Sequence, residues 1–233
     1  MPYQRDILIR VRSPYACFTN PLFRSERFSY PCPTPSAIRG MLSNVFWKPE
    51  FQWVPKKVEI LSPIEYFNFY GNEYKTIPSL FNLTPMDEES KANRTQRLTT
   101  GLSNVDYLIT AQIVTSAQTT DAQNKYEESA IRRLKKGQWF KKPYMGIKEY
   151  SVDLEFVEKR EHVHKSPAPI NKELGIMVFD VFNPYECFTN RFDRKKNLIK
   201  DKVLRSYFNA EIRDGVIHYP DFNDSAVLKD GGR

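Results

Sequence analysis

Between Arg132 and Lys142 the chain reads RRLKKGQWFKK, in which Arg132, Arg133, Lys135, Lys136, Lys141 and Lys142 surround Trp139 and Phe140 with no acidic residue among them. Cations at this density neutralise backbone phosphates and release their counterions, and aromatic faces let unpaired bases stack at roughly 1–3 kcal/mol each. The combination suits a single-stranded nucleic acid. The alternative is a solvated helix end running into a strand, which charge runs commonly mark.

The elements around this segment set its geometry. Thr120 with Gln123 resembles a capping box, Ala122, Tyr126, Ala130 and Leu134 recur every four residues, and Gly137 stands where a C-terminal glycine belongs, so a helix is expected. Lys125, Ser129, Arg132 and Lys136 fall at i, i+4, i+7 and i+11 of that helix and form a positive ridge beside the apolar stripe. An earlier helix should start at Thr34 as cap with Pro35 at its first position. Ile38, Met41, Leu42 and Val45 make its buried stripe, and Pro49 bars continuation. Strands are expected where apolar residues alternate: Ile7 to Val11, Val54 to Leu61, Ile64 to Phe69, Val105 to Thr115 and Tyr150 to Phe156. Between them, Gly71 to Thr100 is polar and Pro-punctuated, a candidate mobile hairpin or arm.

The run from Glu158 to Glu173 has the charge and Pro content of a linker. Beyond it, Leu174 to Phe182 and the two segments flanking Arg213-Asp214-Gly215 read as strands, the latter pair joined by a tight turn. The expected organisation is residues 1–157 as one domain, 158–173 as linker and 174–233 as a small β-rich domain. The order strand, helix, strands, helix, strand before the linker fits an α+β fold of the ferredoxin-like or RNA-recognition type. PYACFTN at Pro14–Asn20 recurs as PYECFTN at Pro184–Asn190, an echo without a physical explanation.

Composition narrows the partner. A formal charge of +7 favours a polyanion without separating RNA from DNA, an acidic protein or an anionic membrane, and 14% aromatic residues shift the balance to nucleic acid. No apolar run approaches the roughly 20 residues of a membrane helix, and MPYQRDILIRVRS lacks a secretory signal's apolar segment and cleavage site. A cytoplasmic location and no membrane partner are expected. Cys17, Cys32 and Cys187 are odd in number and far apart, so neither a disulfide framework nor a zinc site is indicated, and no cofactor or metal is expected. His162 and His164 are spaced H-x-H but have no carboxylate or cysteine arrayed as co-ligands, and read as solvated.

Four motifs in order, TPSAIRGMLSNVFWKP (Thr34–Pro49), NRTQR (Asn93–Arg97), NVDYLITAQ (Asn104–Gln112) and RRLKKGQWFKKPYMG (Arg132–Gly146), resemble one family. It is the fifth family of CRISPR-associated proteins, subtype I-C (Dvulg), within the RAMP superfamily. The matches span about Tyr15 to Tyr150, with a weaker DGVI and Pro220 match beyond. The resemblance implies a ferredoxin-like domain, a small β-rich C-terminal domain and a place in a type I-C surveillance complex. The partners would be CRISPR repeat RNA, the 5′ handle of the guide, and the backbone and large subunits.

The same resemblance implies metal-independent cleavage of the precursor transcript, with the RNA's own 2′-hydroxyl as nucleophile and a 2′,3′-cyclic phosphate as product. The family's cleaving set is a Tyr at the end of the first helix plus a Lys-His pair opening the second. Those positions are Phe46, Lys125 and Tyr126 here, so only the lysine matches. Lys125 would hold charge on the phosphate. Phe46 has no proton to move. A tyrosine, ordinarily titrating near 10, is a poor base at neutral pH, yet Tyr126 could protonate the leaving oxygen or orient the 2′-hydroxyl, or simply pack in the core. The implied RNA contacts are Arg27, Arg39, Arg94, Arg97, Arg132, Arg133, Lys136, Trp139, Lys141, Lys142 and Tyr144, with internal ion pairs as the alternative for Arg39, Arg94 and Arg97. Three functions follow: a processing endoribonuclease, a non-catalytic subunit capping the 5′ handle, or an RNA-recognition module outside CRISPR.

Overall fold

The computed structural model describes residues 4–23, 25–74, 94–115, 120–186 and 204–229. Alternation at the N-terminus makes strand β1 (Ile7–Ala16), with Ile7, Ile9 and Val11 buried, and a short β2 (Arg27–Phe28) follows. Helix α1 (Pro35–Val45) begins as its sequence predicts: the Thr34 hydroxyl accepts a hydrogen bond from the Ala37 N–H, and Ile38, Met41, Leu42 and Val45 are buried. Then come β3 (Phe51–Ile60), β4 (Glu65–Tyr74) and a 22-residue β5 (Arg94–Thr115). Helix α2 (Thr120–Lys135) and β6 (Asp153–Val157) complete the first part; the strand expected from Tyr150 begins only at Asp153. After a 3-10 turn at Arg160–His162, the chain forms β7 (Lys172–Asp180), β8 (Ser206–Ile212), β9 (Val216–His218) and β10 (Val227–Lys229).

The larger sheet runs β6-β1-β5-β3-β9 and is antiparallel along that path. The second half of β5 lies between β1 and β3, while its first half pairs with β4 and, in parallel, with β2. The expected hairpin at 71–100 is therefore the β4–β5 ladder, and residues 75–93 lie outside the described residues. Both helices pack on the sheet: α1 lies on β3 and β7, α2 on β5 and β6, and the helices touch each other. A smaller antiparallel sheet runs β10-β8-β7. The turn foreseen at Arg213-Asp214-Gly215 is present, with Asp214 at φ 46° and Gly215 at φ 73°, the left-handed pair that a two-residue hairpin turn demands. It sends β8 to the small sheet and β9 to the edge of the large one. One apolar core joins both, from Ile9, Trp53 and Tyr107 to Met177, Phe208 and Ile217.

The segment expected as a linker, 158–173, is held against the large sheet. The Arg160 guanidinium meets the buried Glu59 at 2.6 Å, Lys165 meets Asp106 at 3.1 Å, and Ala168 N–H donates to the Ile60 carbonyl. Burial alone would raise the Asp106 carboxyl, but hydrogen bonds and charge from Arg10 and Lys165 hold it below the usual carboxylate range.

Arg39 sits on α1 facing the small sheet and meets Asp180 of β7 through two hydrogen bonds of 2.6 and 2.8 Å. The assignment of Arg39 to RNA is therefore corrected: it is an internal cation tying α1 to β7. Burial would lower its pKa, but the Asp180 charge and hydrogen bonds outweigh this and raise it. Because Asp180 is 4% exposed, Arg39→Met leaves a buried carboxylate without its partner. Denaturant unfolding is expected to show a loss of about 3–5 kcal/mol.

Candidate nucleic-acid interface

Helix α2 turns a buried column of Gln123, Glu127, Ala130, Ile131 and Leu134 toward the sheet. The stripe read from the sequence, Ala122, Tyr126, Ala130 and Leu134, is displaced by one column, leaving Ala122 and Tyr126 half-buried at its margin. The displacement is possible because the two polar residues satisfy each other: the Gln123 amide donates to the Ile113 carbonyl and to Glu127 Oε1, which also accepts from the Arg5 N–H. Gln123 is thus spent on the core rather than on a capping box. The outer face carries the ridge foreseen, with Lys125, Arg132 and Lys136 exposed.

Phe46 caps the end of α1 and is 6% exposed. Its ring centroid lies 5.0 Å from that of Phe51, which lies 5.1 Å from that of Tyr126. Three rings thus join the end of α1, the start of β3 and the first turns of α2. Phe51, which sequence reasoning passed over, is the bridge; nothing in its spacing marks it as more than a strand residue. Over Phe46 stands the Arg133 guanidinium, 5.1 Å from the ring centroid, a cation–π contact worth about 0.5–2 kcal/mol. Lys125, Arg132, Arg133, Lys136 and Lys142 make no ion pair among the described residues, so their charge is available to a ligand.

The loop after α2 is fixed at both ends. Gly137 at φ 60° allows its N–H to bond the Leu134 carbonyl and the Gln138 N–H to bond that of Arg133, closing the helix in a Schellman motif. Phe140 and Lys141 N–H groups both donate to the Asn44 carbonyl at 2.9 Å, pinning the loop to α1. Trp139 and Phe140 are left 51% and 73% exposed, beside exposed Lys141 and Lys142.

The other expected contacts are elsewhere. Arg27 and Arg97 converge on Glu73 of the β4–β5 hairpin, at 2.8 and 3.3 Å, and Arg94 is exposed at the start of β5. Glu73 offsets part of that charge. Tyr144 is half-buried and lines a separate hollow of about 300 Å3 with Cys17, Ser36 and Gly40. His162 and His164 are exposed, and no group of three His, Cys, Asp or Glu is placed to hold a metal among the described residues. No helix is long and apolar enough to cross a membrane among those residues. Of the echoed PYxCFTN copies, Cys187 to Asn190 lie outside the described residues.

The cation ridge, without ion pairs among the described residues, and the exposed rings beside it stand in front of an antiparallel α/β scaffold and offer the charge and stacking faces that nucleic acids bind. A family model described as CRISPR-associated protein (Cas_Cas5) matches residues 6–220, and the chain belongs to that family, on its Cas5d branch. It is 34% identical over 215 residues to a Thermus thermophilus protein named CRISPR pre-crRNA endoribonuclease Cas5d, covering 91% of this chain and 90% of the relative. A protein of the same name from Mannheimia succiniciproducens is 30% identical over 243 residues, covering 96% and 98%. The fold is shared with a solved CRISPR-associated protein at a TM-score of 0.66 and 21% identity, covering 98% of this chain and 99% of the other. It is also shared with a functionally uncharacterized Streptococcus mutans protein at 0.64 and 19%, covering 98% and 100%.

Proposed function

We propose that this chain is a cytoplasmic endoribonuclease that cuts CRISPR precursor RNA within its repeats and keeps the 5′ handle in a type I-C surveillance complex. Its relatives' names point to the activity. The observation that carries it to particular residues is the convergence of Phe46 and Tyr126, both on Phe51, beneath an unpaired Arg133. Lys125 stands one position before Tyr126, and eight residues, about 12 Å along the helix axis, separate it from Arg133.

In this reading the 2′-oxygen attacks phosphorus, the P–O5′ bond breaks, and the products are a 2′,3′-cyclic phosphate and a 5′-hydroxyl. The 2′ proton leaves to solvent, since no side chain is assigned as base. Lys125 and Arg133 hold the charge that builds on the phosphoryl oxygens. Tyr126 supplies a proton to O5′. The chemistry calls for no metal. The unit β1-α1-β3-β5-α2-β6, with strand order β6-β1-β5-β3, supports a ferredoxin-like reading of residues 1–157. Residues 158–173 are then a strap leading to the small β-rich part at 174–233.

A second reading, a non-catalytic subunit that caps the handle, is favoured by Phe46 itself, a buried ring with no hydroxyl where the family carries tyrosine. The test is incubation with repeat RNA and a scrambled control in EDTA at several salt concentrations. Preferential binding with cleavage is expected, and affinity should fall with salt at a slope of about −0.7 per phosphate neutralised. Tight repeat binding without a cut selects the second reading, and equal binding of both RNAs refutes both.

A further inference from the structure

Strands β2, β4 and β5 bring Arg27, Phe69, Glu73 and Arg97 to one face of the β4–β5 hairpin, because alternation along each strand and the register between them put all four on the same side. There Arg27 Nη1 meets Glu73 Oε1 at 2.8 Å, and Arg97 Nη1 meets Glu73 Oε2 at 3.3 Å. Each strand supplies one charged side chain, and each carboxylate oxygen holds one guanidinium. We propose that Glu73 stands in for a phosphate of the bound RNA, which displaces it and takes both guanidiniums. The proposal rests on the RNA-processing reading above and adds to it a side chain of this protein that competes with the RNA.

The disposition of the atoms carries the argument. A phosphodiester presents two non-bridging oxygens, as a carboxylate presents two, so the guanidiniums that grip Glu73 are already set to grip one phosphate. The exchange is within reach energetically. The side chains of Arg27, Glu73 and Arg97 are 28%, 26% and 33% exposed, and ion pairs this open to water hold weakly. A nucleic acid brings what Glu73 lacks, a row of further phosphates whose condensed counterions are released on binding. Two cations against one carboxylate also leave the cluster positive, so a strand is drawn to it before the exchange takes place.

A ring lies beside the cluster. Phe69 is 56% exposed and folds over Gly71, where an added Cβ would stand 3.1 Å from a carbon of its ring. Gly71 pairs with Arg97, and Phe69 pairs with Thr99, whose neighbour on the other side is Arg27. Thr99 itself is buried. One side of the Phe69 ring therefore rests on the strand while the other is open to a base, next to the guanidiniums that would take the adjoining phosphate. Without Glu73 such a surface would attract any polyanion. With it, a strand gains there only after the carboxylate is moved aside, which favours RNA already anchored elsewhere on the protein.

The test measures binding of labelled repeat RNA and a scrambled control across salt concentrations, by wild type, Glu73→Gln, Phe69→Leu and the double variant Arg27→Gln/Glu73→Gln. All three positions are part-exposed, and thermal unfolding checks that the fold is kept. Glu73→Gln should bind repeat RNA roughly three- to tenfold more tightly, the release of two part-exposed ion pairs. Its salt slope should be steeper by about 0.7, and scrambled RNA should gain by at least the same factor. The double variant should lose the gain. Phe69→Leu, which leaves the ion pairs alone, should weaken repeat binding about fivefold or more. A Glu73→Gln chain that binds no more tightly than wild type, or that no longer folds, makes Glu73 a tie between strands and overturns the proposal, while wild type's preference for the repeat leaves the RNA reading standing. A gain confined to the repeat, a gain that survives in the double variant, or Phe69→Leu binding as wild type does also overturns it. Failure of wild type to prefer the repeat at all removes both.

Discussion

Lys125→Ala should lower the single-turnover rate of repeat cleavage roughly 10²–10³-fold, the usual consequence of removing one donor aimed at developing charge. The expectation rests on position. Lys125 is exposed on the ridge of α2, immediately before the half-buried Tyr126, and makes no ion pair among the described residues. Its ammonium has no structural duty, so its loss should leave thermal unfolding unchanged. Affinity should weaken only as one phosphate contact does, flattening the salt slope by about 0.7. The rate is therefore to be read at saturating protein, where a binding defect contributes nothing. Unchanged cleavage at saturation would remove Lys125 from the reaction.

Tyr126→His should act in the opposite direction, raising cleavage by about 10² or more. A positioned acid or base is ordinarily worth roughly 10²–10⁴, and imidazole, unlike phenol, changes protonation near neutral pH. The site can accept it. Tyr126 lies at the margin of the buried column, its ring 5.1 Å from Phe51, so the smaller imidazole replaces a flank and not a keystone of the core. If the new side chain takes the 2′ proton, the rate climbs as pH rises through histidine's ordinary value near 6.5 and then levels, an inflection absent from wild type. A variant no faster than wild type, with a flat profile, would show that this column does not reach the scissile bond.

Several elements were legible because a local rule dictates them. Thr34 and Pro35 fix the start of α1, its four apolar residues fix the buried face, and Gly137 fixes the end of α2. The cation ridge followed from helical period alone. What the sequence hid depends on long-range partners. Gln123 and Glu127 look like surface residues until a distant carbonyl, Ile113, and the Arg5 amide satisfy them, and their burial shifts the whole face of α2. Arg39 looked like a phosphate contact until Asp180, 141 residues away, claimed it. Charge composition likewise made 158–173 read as a tether, because Glu59 and Asp106, which hold it down, lie in strands far upstream. Phe51 carries no local signal, since it matters only for the rings that folding sets beside it.

The most direct test of the central claim is the chemistry of the RNA ends after incubation of the wild-type protein with repeat RNA in EDTA. The account predicts a 2′,3′-cyclic phosphate on the upstream fragment and a 5′-hydroxyl on the downstream one. Fragments ending in a 3′-hydroxyl and a 5′-phosphate, or RNA that stays whole, would contradict it.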